Sequence, residues 1–211
     1  ALNPIQPVAL IPHSGAIVAL LADPQSSVRF SAVHMLDKLE PAAIAPHAGA
    51  LARMLTNPER EVRSLALRKL WELESATITP HIGAIVALVV DPCMFVRMKV
   101  YAVLCMVEPK ALASHAGAMV GFLNHHTDSE VRFSAVRALW ALDSAAITPH
   151  AGVILGLFAD ANLHVVLMAM DTLGKLDSVV LELYAGAIAD KLTDSDLKVR
   201  CAAVRALGKL D

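Results

Sequence analysis

A dipeptide recurs along this chain with an almost fixed step. Val28-Arg29, Val62-Arg63, Val96-Arg97, Val131-Arg132, Val165-Val166 and Val199-Arg200 follow one another at intervals of 34, 34, 35, 34 and 34 residues. A second marker keeps the same phase: His13, His47, His81, His115, His150 and Tyr184, each followed two residues later by Gly15, Gly49, Gly83, Gly117, Gly152 and Gly186. A period of this size is the mark of stacked supersecondary units, none of which buries its apolar face alone. The 211 residues therefore read as one elongated domain, 1–211, rather than two globular ones.

Each period divides into two helical halves. The second half is the clearer, with apolar residues at positions 1, 5, 6, 9 and 12 counted from the valine. Examples are Val62, Ala66, Leu67, Leu70 and Leu73, and Val131, Ala135, Val136, Leu139 and Leu142. That spacing draws one continuous stripe on a helix of about three turns. The first half carries the His-x-Gly marker and an apolar run. Thr79-Pro80 and Thr148-Pro149 resemble a helix cap followed by a proline at the first helical position. Asp23-Pro24, Asn57-Pro58 and Asp91-Pro92 break the chain between the halves. The reading is six units of two antiparallel helices, 6–39, 40–73, 74–107, 108–142, 143–176 and 177–210, twelve helices in all. The first and ninth stripe positions, from Val28 and Leu36 to Val199 and Leu207, are expected inside.

Composition fits this scheme. Hydrophobic residues make up 56% of the chain but aromatics only 4%, a mixture suited to closely packed helices. The longest apolar run, Ile82 to Val90, is cut by Asp91-Pro92, so no membrane-spanning segment is expected. Cys93, Cys105 and Cys201 are odd in number and off metal spacing, which favours a reducing compartment and an intracellular, cytoplasmic location. The net charge of −2 argues against nucleic acid as a partner, since that needs a basic footprint.

An acid six residues ahead of the arginine, as in Asp23 to Arg29, Asp91 to Arg97 and Asp194 to Arg200, resembles the Asp…Val-Arg ladder of HEAT repeats. The resemblance covers essentially all of the chain. It implies an all-α, right-handed α-solenoid in which acids and arginines of neighbouring turns bond along the stack and the second helices line the concave face. The short units are similar to the compact HEAT-like repeats of the phycobilin lyase family. Three departures stand out: Asn57 replaces an acid, the fourth unit gains a residue near His125-His126, and Val166 replaces an arginine. A weaker junction is expected between units four and five.

The histidine series does not build a metal site, because equivalent atoms one repeat apart are separated by about 8–10 Å and ligands must approach to about 2 Å. A role in bonding or contacting the neighbouring turn is expected instead, and the glycines are expected to allow close helix approach. Neither a cofactor nor a catalytic group is indicated. The HEAT-like enzymes fit less well: none of the nine histidines precedes a glutamate, as iron-binding His-Glu pairs require, and a glycosylase-like use of Trp71, Trp140, Asp37 and Asp171 sits badly with the acidic net charge.

The residues that vary most lie at positions 3, 7 and 10 of the second helices. Both tryptophans fall at position 10, each three residues after an arginine, while Gly174 and Gly208 stand there in the last two units. Phe30, Arg68, Trp71, Met98, Phe133, Arg137 and Trp140 are therefore the candidate partner-binding residues. Thirteen of the 18 basic residues sit on these helices against three acids, so with the five ladder arginines set aside the surplus is five. The expected function is a non-enzymatic protein-interaction scaffold whose partner is an acidic, partly hydrophobic protein segment. The runner-up on family likeness is a bilin lyase or chromophore-protein chaperone. The chain stops at Leu210-Asp211 in phase for another repeat, which points to a larger chain or assembly.

Overall fold

The computed structural model describes residues 7–125 and 128–210, and of the side chains at positions 7, 124 and 125 nothing is said. His126 of the insertion in the fourth repeat falls outside the described residues. The chain forms two compact units, Ala1–Val107 and Glu108–Asp211, and the division coincides with a repeat boundary. Each unit holds three repeats of one helical pattern, and no strand occurs among the described residues. This is the all-α repeat fold of the solenoid class.

The second half of each repeat is a single long helix: Ser26–Leu36, Arg60–Trp71 and Met94–Leu104 in the first unit, Ser129–Trp140, Leu163–Leu173 and Leu197–Leu207 in the second. The apolar stripe explains them. Val62, Ala66, Leu67, Leu70 and Leu73 are all buried, as are Val131, Ala135, Val136, Leu139 and Leu142. Ten of the twelve expected stripe residues at positions 1 and 9 are buried. Val28 and Leu207 are only half-buried, because each lies in a repeat that has a described neighbour on one side only.

The first half is not the single helix that the pattern suggests. In the first unit it is a short turn of helix (Pro7–Leu10, Pro41–Ile44, Ser75–Ile78), a 3-10 turn (Ile11–His13, Ala45–His47, Thr79–His81) and a middle helix (Ser14–Ala19, Ala48–Met54, Ile82–Ala87). The marker histidine closes the 3-10 turn with φ near −110° and ψ near zero, the sparsely populated bridge between helix and strand. Pro12, Pro46 and Pro80 sit in these turns and have no N–H to continue a regular helix. Thr79 and Thr148 are already helical and do not cap. Their hydroxyls donate back to the carbonyls of Ser75 (2.9 Å) and Ser144 (2.8 Å).

Successive repeats are joined by arginines. Arg63 donates through Nη1 to the carbonyls of Asn57 and Pro58 in its own turn, both at 2.8 Å, and through Nε and Nη2 to the carboxylate of Asp91 in the next repeat, at 2.6 and 2.9 Å. Arg132 grips Asp160 in the same bidentate manner at 2.6 and 2.9 Å. Arg29 binds its own turn at Asp23 and Pro24, and pairs with Glu59 of the next repeat. Glu59 thus takes the place of the acid that Asn57 lacks. Arg97 and Arg200 hold their own turns in the same way.

The interruption is displaced from the expected junction. An arginine reaches the acid of the following repeat, so Arg132 closes the junction between repeats four and five. With Val166 in the arginine's place, the Asp194 carboxylate of repeat six has no arginine partner among the described residues, where it meets Lys191 at 3.8 Å and accepts from the Asp196 amide at 3.0 Å. Lys209 partly compensates by donating to the Gly174 carbonyl at 2.5 Å, at the negative end of the preceding long helix.

The marker histidines play their expected part at one contact. Ser14 donates its only hydroxyl proton to the Ile11 carbonyl at 2.8 Å, so its oxygen accepts from His47 Nε2 at 2.8 Å. A Cβ on Gly15 would stand 2.9 Å from the His47 ring, which a side chain there could not tolerate without displacement. The close-approach explanation does not extend to four others: a Cβ on Gly49 would make ordinary contact with His81, and Gly117, Gly152 and Gly186 face open space.

Two stability predictions follow from the ladder. The Asp91 side chain is 2% exposed and that of Arg63 10%, so Asp91→Ala strands a buried guanidinium and should lower unfolding free energy by about 3 kcal/mol. Asp194→Ala removes a loose pair with Lys191 and one turn bond to the Asp196 amide, and should cost about 1 kcal/mol. Urea titration of the two variants gives the comparison. The Arg132 guanidinium holds the Asp160 carboxyl below the usual carboxylate range. A depressed carboxyl stabilises the fold above its unfolded pKa and ceases to do so as pH falls through the folded value. Stability should therefore decline below about pH 4, and Asp160→Asn should flatten that decline in thermal scans taken against pH.

Candidate functional site

The candidate residues all project from the long helices, on the side away from the apolar stripe. In the first unit they lie open. Phe30 is 75% exposed, Met98 50% and Trp71 48%, with Phe95 at 64% close by on the third long helix. Burying such side chains is favourable by about 1.5–3 kcal/mol each, so their common exposure away from the buried stripe is informative.

Two furrows flank the Arg60–Trp71 helix. The first, about 850 Å³, runs against Ser26–Leu36; Phe30 forms one wall, Val33, Val62 and Leu65 the floor, and four serines the rim. It exists because Ser26–Leu36 touches Arg60–Trp71 far less than Arg60–Trp71 touches Met94–Leu104. The Arg29–Glu59 and Arg68–Asp37 ion pairs bracket this opening. The second furrow lies between Arg60–Trp71 and Met94–Leu104 and holds two hollows. One, about 340 Å³, is walled by Phe95 and Ser64, the other, about 240 Å³, by Trp71, Leu67 and Ala102; Lys99 borders both.

The second unit treats the same positions differently. Phe133, Arg137 and Trp140 are half-buried. Arg137 stacks 5.4 Å above the Phe133 ring, and Phe133 meets His164 edge-on at 6.2 Å. Lys175 covers Trp140, its ammonium 4.6 Å from the ring centroid, while donating to the Leu142 carbonyl at 2.6 Å. The two tryptophans, equivalent in sequence, thus have different surroundings, because only the later repeat has a lysine to fold over the ring. A further hollow of about 690 Å³ between Leu163–Leu173 and Leu197–Leu207, lined by Leu167, Leu197 and Val204, had no signal among the candidates.

The three acids counted against the basic residues of the long helices are each held in an ion pair, and two of the five remaining cations are directed to carbonyls. Arg68 pairs with Asp37 at 2.8 Å, Lys69 with Glu72 at 2.8 Å, and Arg205 with Asp171 at 3.2 Å, while Lys175 and Lys209 bind carbonyls. Burial pushes the Asp37 carboxyl up, but the Arg68 and Lys69 contacts outweigh it and hold it below the ordinary value. Asp37 and Asp171, the carboxylates of the glycosylase-like reading, are therefore both engaged in ion pairs. Among the described residues no group of three or more His, Cys, Asp or Glu is placed to hold a metal, and no helix is long and apolar enough to cross a membrane.

This is the fold of the HEAT-like and armadillo repeat proteins. A crystal structure of an engineered protein matches with a TM-score of 0.65 at 21% identity, covering 94% of this chain and 96% of that one. The archaeal HEAT-like repeats protein from Thermococcus onnurineus NA1 matches with a TM-score of 0.63 at 16% identity, over 99% and 100% of the two chains. A computationally designed armadillo repeat protein, described as made for modular peptide recognition, matches with a TM-score of 0.60 at 17% identity, over 93% and 99%. No protein-family model matches the sequence, and no curated protein matches it.

The contrast between the tryptophans is open to a direct check. With Trp140→Phe, the remaining Trp71 should emit at longer wavelength and be quenched steeply by acrylamide. With Trp71→Phe, the remaining Trp140 should be bluer and quenched less. Equal quenching would contradict the described burial.

Proposed function

We propose that the protein is a non-enzymatic interaction scaffold, and that the long-helix face of its first unit seats a segment of a partner protein. The observation that carries this reading is the row of exposed Phe30, Trp71 and Met98 above two furrows with apolar floors. Large aromatic side chains with open sides are the usual anchors of protein interfaces, and nothing in the repeat requires bulk where Trp71 stands, since Gly174 and Gly208 hold that place elsewhere. The designed armadillo protein made for modular peptide recognition shares the fold and lends the reading general support. By the HEAT resemblance this is the concave face. Arg68 takes part as a wall already neutralised by Asp37. In the second unit Phe133, Arg137 and Trp140 are the proposed partner-binding residues of its own long helices, with less surface to offer because they are engaged with one another, with His164 and with Lys175.

Selection from a library of short random peptides should yield binders to the intact protein. Trp71→Ala should weaken such a peptide by about 2 kcal/mol, and Phe30→Ala by a similar amount if the peptide reaches the larger furrow. Both variants should keep the parent melting temperature, since neither ring is in the core. Unchanged affinity in both would overturn the assignment of the face.

A further inference from the structure

We infer that the second furrow selects a partner segment with a carboxylate between two apolar side chains, and that Lys99 is the residue that reads the acid. The inference rests on the scaffold reading and gives its partner a chemical class. Along the Arg60–Trp71 and Met94–Leu104 helices the other cations bordering the furrow are matched: Arg60 to Glu61 at 2.7 Å and Arg68 to Asp37 at 2.8 Å. Lys99 has no carboxylate partner among the described residues, yet it is half-buried and borders both hollows. Glu61, the carboxylate at the first hollow, is taken up by Arg60, and a half-buried ammonium beside the Phe95 and Trp71 rings is screened less than on an open surface, so a carboxylate brought to it gains more.

The remainder of the furrow decides the kind of ligand. Phe95 walls one hollow and Trp71 the other, so apolar groups are wanted on both sides of the charge. At about 340 and 240 Å³ the hollows are at or below the small end of ligand cavities, about 300–1,000 Å³, and suit single side chains. One unmatched cation is too little for a phosphate backbone, whose binding grows with the number of phosphates neutralised. A protein segment fits better. The walls of the two hollows are offset by about seven helical residues, or about 10 Å at 1.5 Å per residue. An extended segment covers that in about three residues at about 3.3 Å each. The expected recognition element is therefore an apolar residue, an acid within the next one or two positions, and a second apolar residue about three positions after the first.

The test is a selection of short random peptides on the parent protein, followed by fluorescence anisotropy with a synthetic peptide of the enriched class. Enriched sequences should carry Asp or Glu between two apolar residues. Lys99→Glu should weaken the peptide by about tenfold or more, and a peptide with Lys in place of its acid should bind Lys99→Glu better than the parent. Circular dichroism of Lys99→Glu should match the parent, because the side chain is outside the core; Lys99→Met provides a second, uncharged variant if it does not. Acid-free enriched peptides, or equal binding of the acidic peptide to the parent and both variants, would overturn the role of Lys99 while leaving the scaffold reading intact. Peptides that bind but are indifferent to Lys99, Trp71 and Phe30 alike, or a failure to enrich any peptide, would overturn both. Self-association of the parent that Lys99→Glu abolishes would show the occupant to be a second copy, and would also overturn the inference.

Discussion

The structure depends on a guanidinium placed where two repeats meet. Arg29, Arg63, Arg97 and Arg200 each stand near the start of a long helix and turn back to satisfy carbonyls in their own turn. At Arg63 and Arg132 the remaining donors are carried across to a carboxylate in the next repeat. Both ends of the bond are nearly buried at Arg63–Asp91, where an unmatched charge would cost several kcal/mol. The pair therefore acts as a register pin: a repeat rotated or shifted against its neighbour would strand the charge. Apolar stripes supply most of the driving force, but a stripe of Val, Ala and Leu tolerates sliding, and the arginine does not.

This division of labour leaves the outward side of the long helices free. The stripe buries one side and the ladder fixes the turn, so positions 3, 7 and 10 carry no common structural duty. They diverge accordingly: position 10 holds Asp37, Trp71, Cys105, Trp140, Gly174 and Gly208. Where a residue there gains a structural task, it is local, as when Arg205 pairs with Asp171 or Lys175 covers Trp140. The first unit keeps its aromatic and thioether side chains exposed instead, and that surplus of open apolar surface supports the scaffold reading.

Much of this was legible from residue spacing. The long helices were, because five apolar positions in twelve repeat the same stripe and tertiary contacts reinforce it. The first halves were not: their apolar runs look helical throughout, while Pro and the bridge conformation of the marker histidines act locally and split them. The interruption of the ladder lies one junction later than the sequence pattern suggests, because the acid stands six residues before an arginine in sequence but is bound by the arginine of the preceding repeat. Counting charges by helix does not tell which cation meets which acid: Arg68 and Arg205 reach theirs from 31 and 34 residues away. Exposure of Trp71 against cover of Trp140 depended on Lys175, which lies a repeat further on.

Native-state hydrogen exchange with and without Val166→Arg tests the ladder most directly. Amides in Leu197–Leu207 should exchange through an opening of lower free energy than those in Leu163–Leu173, because the junction between them lacks its arginine. Supplying the arginine should bring Asp194 into the ladder and raise protection across Leu197–Leu207 specifically. A last repeat that is loose for a reason other than the missing arginine would not respond, and unchanged exchange in a folded Val166→Arg protein would contradict the account.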